Sequence, residues 1–367
     1  MAKKIVKVCL FSPYFPDHFG GGERHLLDIA AHLSPTSRVC IAFPEAKAAS
    51  IDLTAVKENY EKFYGASLET VAFITTPVGT RENFFRKLFW TRQFSHIFAV
   101  SDGSLFFSLA KHNIAHLQIP FSSYPQGFLN QLKLAHWRLN TNAYFTKRVI
   151  EHSWKTRVSS VLQPMVANDL FALAQKKEKI ILHVGRFFTQ LHSKRQDVLV
   201  ETFRKLLEKS PAHQDWRLVL VGSVEDEAYL ANLRVLSRGL PIEFKTNCSR
   251  VELLGWYARA SIYWHATGFG ADEESEPEKV EHFGITTIEA MAAGVVPVVL
   301  AKGGQVEILN TELQSLSWQT QEECVEQTSK LLASETLLRL YQDIARRRAA
   351  EFGEARFVKQ LEAVFGV

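Results

Sequence analysis

Glu281 and Glu289 stand seven residues apart in the string EHFGITTIEAMAAG, between two runs of strand character at 261–264 and 295–300. The stretch 284–293 reads as a helix. Ile285, Ile288 and Ala292 fall on one face, and Gly294 supplies the left-handed residue that commonly ends a helix. Glu281 then precedes the helix and Glu289 lies within it. A carboxylate can accept from two adjacent hydroxyls at once. The backbone N–H groups of His282, Phe283 and Gly284 fall at the helix start, where unpaired donors and the positive dipole end attract anionic or hydroxyl-rich ligands. Gly284 lets such a ligand come close. The plainer reading of the same string is a solvated acidic loop followed by an ordinary helix with a surface glutamate.

A second group with chemistry to offer lies upstream. Residues 180–184 read as a strand, Gly185-Arg186-Phe187 as a turn and 197–207 as a helix, with Arg186 and Lys194 flanking the loop. A planar arginine fork and a lysine point charge are a common pairing for phosphates. Arg195 competes for the lysine's part, and solvent-facing charges on a loop are the plain alternative. The strand 216–222 ends at Gly222, whose backbone N–H is placed to approach the same anion.

The elements that must hold these residues repeat a pattern. At the chain start, 4–12 reads as a buried strand, Pro13-Tyr14-Phe15-Pro16 breaks it, Gly20-Gly21-Gly22 follows, and a helix runs from about Glu23 to Leu33. The glycines do not spell G-x-G-x-x-G, which argues against a dinucleotide. Strands are expected at 39–43, 71–74 and 96–101, with a turn at Ser101-Asp102-Gly103-Ser104 where open α/β sheets bind ligands. Between the last two strands, 81–94 sets Phe84, Phe85, Leu88 and Phe89 on one side and interleaves Arg81, Arg86, Lys87 and Arg92. Such a helix suits docking at an anionic membrane surface, or packing against its own sheet. Residues 174–179 read as a solvated connection, 249–257 as a capped helix, and 335–367 as helical with a break near Phe352-Gly353. Arg346-Arg347-Arg348 reads as a solvated face.

Composition bounds the class. With 367 residues the chain is long enough for about two domains. A balance of 43 basic to 39 acidic residues is too mild to argue for nucleic acid. Cys9, Cys40, Cys248 and Cys324 form no C-x-x-C pair, so neither a zinc site nor a disulfide framework is expected, and a reducing cytosol fits. Lys7 and Pro13 interrupt any secretory h-region, and no apolar run reaches the roughly 20 residues that span a bilayer. The acidic run from Asp272 to Glu278 carries no aspartate-x-aspartate motif, so no metal is expected.

The order Glu281, His282-Phe283-Gly284, an apolar stretch, Glu289-Ala-Met-Ala-Ala-Gly294, Pro297, then Gly303-Gly304 with Glu307 after it closely resembles the E-x7-E signature of the retaining glycosyltransferases of family 4. Gly185-Arg186-Phe187 with Ser193-Lys194-Arg195 resembles the family's phosphate loop, with an insertion of a few residues. Residues 142–154 and Val161-Leu162-Gln163-Pro164 resemble its linker region, Gln163 and Met165 departing from the commoner wording.

The resemblance implies the GT-B fold, α/β, with two Rossmann-like domains of parallel sheets flanked by helices that face a central cleft. Residues 1–170 would form the acceptor-side domain, with 353–367 crossing back to it, and 171–352 the nucleotide-sugar domain. It implies a hexosyltransferase of polysaccharide biosynthesis that needs neither metal nor cofactor. Arg186 and Lys194 would stabilise the departing diphosphate, as charge builds there when the glycosidic bond breaks. Glu289 would hold the ribose hydroxyls. Glu281, with the backbone at Phe283, Gly284 and Ile285, would orient the sugar. Gly21, Gly22, Gly185 and Gly222 would lie near the donor, and His116 or Gln118 near the acceptor. The wording favours GDP-mannose as donor, with UDP sugars as the other option, and the acceptor is a glycan, a lipid-linked sugar or a small molecule. A cytoplasmic place at the inner face of the membrane follows, with no nucleic-acid partner. Two other classes fit the layout: a sugar-nucleotide epimerase, and a non-catalytic nucleotide-sugar binder.

Overall fold

The computed structural model describes residues 6–14, 20–48, 51–65, 67–81, 83–173, 175–190, 192–209 and 213–366. Residues 4–5 of the first expected strand, Phe15-Pro16 of the loop after it, and position 174 of the expected connection lie outside them. The chain divides into two compact units, Met1–Pro164 with Phe357–Val367, and Met165–Arg356.

In the first unit, seven described strands form one parallel sheet: β1 Val6–Phe11, β2 Ser37–Pro44, β3 Ala72–Thr76, β4 His96–Ser101, β5 His112–Leu117, β6 Arg138–Thr141 and β7 Val158–Val161. Their order is β3-β2-β1-β4-β5-β6-β7, so the direction of winding reverses between β1 and β4. Crossovers then leave in opposite directions and a crevice opens at the carboxyl ends of these two strands. A cavity of about 260 Å³ lies there, lined by Phe11, Pro13, Ser101 and Asp102 among others. The helix Gly21–Leu33 buries Leu26, Leu27, Ile29, Ala30 and Leu33, the spacing of one apolar face. Its first residues are Gly21 and Gly22. A Cβ on Gly22 would sit 2.9 Å from Gln118 Oε1, and both residues border a smaller cavity with Ser12 and Tyr14.

His116 is not on a pocket wall. It lies in β5 with no exposed surface, its Nδ1 donating to Asn140 Oδ1 at 2.5 Å and its ring centred 4.9 Å from Phe98. In a strand covered on both faces, even a polar side chain is enclosed, whereas Gln118, one residue past the strand, reaches the cavity. The expected helix at 81–94 is shorter, Phe84–Thr91, and its aromatic side does not pack on the sheet: Phe84, Phe85 and Phe89 are all more than half exposed. Residues of the helix Glu354–Phe365 complete this unit. Phe365 stacks on Phe98 at 5.6 Å, Phe357 meets His25 edge-on, and Arg138 donates to the Val364 carbonyl at 2.8 Å.

The second unit holds six described parallel strands, β8 Ile180–Val184, β9 Arg217–Gly222, β10 Ile242–Thr246, β11 Ile262–His265, β12 Val296–Leu300 and β13 Ser317–Trp318. Their order is β10-β9-β8-β11-β12-β13, which places the reversal between β8 and β11. Strands β8, β11 and β12 are buried throughout, as expected of a parallel sheet covered by helices on both faces. On one side the helix Gln196–Lys209 contributes Leu199, Phe203 and Leu206, all fully buried. Elsewhere, Ser249 and Glu252 form a reciprocal capping box that starts the helix Arg250–Arg259.

Two charged segments are bound into this unit rather than solvated. Lys177 donates to the carbonyls of Ala293 (2.7 Å) and Tyr257 (3.2 Å), where burial, reinforced by Arg346, pulls its pKa down to about 7. Of the triple arginine, Arg346 donates to the Phe171 carbonyl at 2.6 Å. Arg348 donates to Ile308 and Glu307 carbonyls at 2.7 and 2.8 Å. Arg347 turns outward instead, to Glu312 at 3.5 Å.

Candidate functional site

The carboxyl ends of β8 and β11 lie side by side, and the residues that follow them carry most of the expected chemistry. After β8 come Gly185, Arg186 and Phe187. A Cβ on Gly222, the last residue of β9, would lie 2.0 Å from the Gly185 carbonyl oxygen. No residue but glycine fits where these two backbones cross, so Gly222 serves the approach of two strands. Gln196, fully buried at the start of its helix, donates through Nε2 to the carbonyls of Gly185 (3.2 Å) and Arg186 (3.0 Å) and so clamps the loop.

Lys194, at the far end of this loop, donates to Glu281 Oε2 at 2.7 Å. Arg195 does not compete: its guanidinium is engaged by Asp197 at 2.9 Å and by the Phe269 carbonyl. Arg186 lies on the same loop, half exposed, bonded to Glu225 Oε1 at 2.9 Å and to His192 Nε2 at 3.3 Å, with its guanidinium over the Phe188 ring. A stacked, doubly tethered guanidinium loses little freedom when it takes an anion.

His265, which ends β11, also approaches Glu281 Oε2, at 2.9 Å. An ionised carboxylate only accepts, so the ring carries its proton on Nε2 and donates. Burial alone would raise the Glu281 carboxyl, but Lys194 and then His265 outweigh it and hold it well below the ordinary carboxylate range. Gly304 N–H donates to the Glu281 carbonyl at 2.7 Å and fixes its backbone as well. The expected pair Lys194 and Glu281 is thus brought together, and His265 is a third member that sequence reading missed. Its signal was present, a polar side chain at the carboxyl end of a buried strand, but the strand was expected to stop at Trp264.

The helix Ile285–Ala292 begins after Gly284, whose φ of 103° only glycine adopts readily. A Cβ there would strike Gln305 Nε2 at 2.6 Å, so the glycine is required by the chain's own packing. Phe283 is buried against Phe352, and Ile285 is half-buried in the first turn, where backbone N–H groups have no intrahelical acceptor. Glu289, one turn further, accepts from the Tyr257 hydroxyl at 2.9 Å and from Arg250 at 3.4 Å, and Arg250 reaches Asp169 as well. A carboxylate offers about four acceptor positions, so two are taken and the group is held rigid. Tyr257 and Arg250 were also missed; both lie on the helix Arg250–Arg259, which the sequence shows to be a helix but not which way it faces.

Three further imidazoles surround the Lys194–Glu281 pair. Burial, reinforced by His265, pulls His183 to about 3, and burial with Lys194 pulls His192 to about 2. His282 is lowered by burial against the raising effect of Glu281. All three are neutral at neutral pH. The unfolded chain takes up these protons near about pH 6.5 and the folded chain does not, so the unfolded state binds more protons below that pH and stability falls as pH drops. The contribution of these rings to the unfolding free energy is therefore expected to be level above about pH 7 and to fall between about pH 6.5 and 4.5, by on the order of 2–3 kcal/mol for one such histidine. Denaturant titrations across that range check this; a level profile would show that these rings are solvated.

Residues 168–351 match the family Glycosyl transferases group 1. The GDP-Man:Man(3)GlcNAc(2)-PP-Dol alpha-1,2-mannosyltransferase of Dictyostelium discoideum is 32% identical over 196 residues, which cover 50% of this chain and 36% of that protein. The protein of the same name from Neurospora crassa is 32% identical over 142 residues, 35% of this chain and 22% of its own length. The chain therefore spans well under half the length of these relatives. Among solved structures, Anabaena Alr3699/HepE in complex with UDP and glucose superposes with a TM-score of 0.69 at 14% identity, covering 98% of this chain and 99% of that one. A glycosyltransferase from Rickettsia africae ESF-5 does so with a TM-score of 0.72 at 15% identity, covering 99% of each.

Proposed function

Given that the chain belongs to the Glycosyl transferases group 1 family, we propose that it is a retaining, metal-independent hexosyltransferase of the family 4, E-x7-E type. It moves mannose from GDP-mannose, with a UDP sugar as the second donor class, to a hydroxyl of a glycan or lipid-linked acceptor. The observation that carries this reading is the cluster at the β8/β11 reversal, where Lys194 and His265 hold the Glu281 carboxylate and Arg186 stands on the same loop.

In this reading Arg186 and Lys194 take up the negative charge that grows on the departing diphosphate. They act more strongly on the transition state than on the bound donor, which is what lowers the barrier. Glu281, fixed from both sides, orients the sugar together with the backbone of Phe283, Gly284 and Ile285. The acceptor positions of Glu289 left over from Tyr257 and Arg250 take the ribose hydroxyls. The close backbone crossing at Gly185 and Gly222 shapes the loop against which the diphosphate lies. Attack proceeds on the face the diphosphate leaves, with that diphosphate drawing the acceptor's proton, and no side chain is assigned as base. In the first unit, Gly21 and Gly22 serve the donor and Gln118 the acceptor. The relatives' names favour mannose and a lipid-linked acceptor, and four free cysteines suit a cytoplasmic setting. No helix among the described residues is long and apolar enough to cross a membrane.

A thermal-shift panel tests the donor. A ligand that binds only the folded chain stabilises it by about 2.7 kcal/mol at roughly a hundred times its Kd. GDP and GDP-mannose are expected to raise Tm by several degrees, and UDP compounds to do less. A preference for UDP overturns the mannose donor, and a folded protein that answers to no nucleotide overturns the transferase reading. Interconversion of the donor without an acceptor would make the protein an epimerase.

A further inference from the structure

We propose that one face of the first unit, built from the helices Phe84–Thr91 and Phe128–His136 and the segment between them at 105–109, docks on an anionic lipid bilayer. This rests on the reading that the acceptor is lipid-linked, and deepens it by assigning the surface. The second helix carries no basic-aromatic signature in the sequence, and only the fold brings it beside the first.

Six large apolar side chains stand in solvent there. Phe84, Phe85 and Phe89 are 51%, 61% and 59% exposed, and Phe128, Leu129 and Leu132 are 76%, 62% and 44% exposed. Contacts made by 105–109 join the two sets into one surface. The Phe84 ring meets Phe107 edge-on at 6.1 Å, and Lys133 Nζ stands 5.9 Å from the centre of the same ring. The Leu109 N–H donates to Thr91 Oγ1 at 2.8 Å, and Trp137 Nε1 donates to the Phe106 carbonyl at 2.8 Å. Contiguous apolar area of this kind is seldom left in water and marks an interaction site.

Charge selects the occupant. Residues 81–138 contain seven lysines and arginines against two acidic residues, while the whole chain has 43 against 39. The excess positive charge of the protein is thus concentrated in this stretch, and the remainder is close to neutral. Arg86 is paired with Glu45, but Arg81, Arg92 and Lys111 are exposed. Aromatic and leucine side chains that can enter the headgroup boundary, rimmed by basic ones, match an anionic bilayer in both chemistry and shape. A neutral protein partner would gain nothing from the basic rim.

Sedimentation of the full chain with vesicles tests this, comparing phosphatidylcholine alone with phosphatidylcholine containing about a third phosphatidylglycerol. Binding to the anionic vesicles is expected to be at least about tenfold tighter, since each basic side chain near the surface is worth about fivefold. Two variants outside the donor machinery, Phe128→Ser with Leu129→Ser, and Lys111→Glu with Lys133→Glu, should each weaken it about tenfold or more. Their Tm and nucleotide response should stay as in the parent, so failure here is separable from failure of the transferase reading. Equal binding to both vesicles, no binding, or parental binding by both variants would overturn the proposal. Concentration-dependent dimers lost in Phe128→Ser with Leu129→Ser, without vesicle binding, would assign the face to a second copy instead.

Discussion

Lys194→Ala is expected to lower kcat by about a thousandfold, roughly 4 kcal/mol of barrier, with a far smaller change in KM for the donor. The lysine touches Glu281 at 2.7 Å in a pocket walled by neutral imidazoles, so its charge is poorly screened by water and no neighbouring histidine can replace it. Steady-state kinetics with saturating acceptor would reveal the split between kcat and KM. An activity within tenfold of the parent would remove Lys194 from the chemistry. The same change has a signature in acid. Glu281 is ionised far below its unfolded pKa, so it adds stability that is complete above about pH 4.3 and is lost as pH falls through the folded value. Without the lysine, burial acts with less opposition, the folded pKa rises, and that acid-range dependence shrinks. A structural lysine would show the acid effect alone.

Glu289→Ala is expected to weaken nucleotide binding by about a hundredfold or more, because it removes the acceptor for two hydroxyls and leaves nothing in its place. It also strands the buried Tyr257 hydroxyl and takes one of the two carboxylates from Arg250, at a cost of roughly 1–3 kcal/mol in stability. Tyr257→Phe separates the two effects: it should reproduce a small part of the stability loss and leave nucleotide affinity within a few-fold of the parent. Calorimetric titration with GDP on all three proteins gives the comparison. Unchanged affinity in Glu289→Ala would mean that the carboxylate only braces its helix.

The strands at 39–43, 96–101, 180–184, 216–222 and 295–300, the helix after Gly284 and the two glutamates were legible because each is written in a local pattern: apolar runs, a glycine end, a fixed spacing. What stayed hidden depends on direction. The alternation along β5 does not say that both faces are covered, so His116 could pass for a pocket residue when it is sealed against Phe98 and Asn140. The charge run at Arg346-Arg347-Arg348 does not say that two of its members point at carbonyls of other segments. His265 and Gln196 act through partners about sixteen and ten residues away, Glu281 and Arg186, and such pairs become visible only when the sheet order is known. Gly222 and Gly284 were singled out correctly as special positions, but the neighbours that demand them are backbone and side chains of the chain itself.

The last helix, whose residues from Phe357 onward belong to the first unit, bears on how the protein is made. Residues up to Pro164 leave the ribosome before Met165–Arg356, yet the surface around Phe98, His25 and Arg138 is closed by Phe365, Phe357 and Val364. The continuous stretch Met165–Arg356 can finish folding before the helix that follows it is made, whereas the earlier-born unit must wait for that helix. An apolar seam on the nascent chain therefore stays open while Met165–Arg356 is being made. At about 5–20 residues per second that is an interval of many seconds, in which the first half of the chain depends on chaperones more than the second.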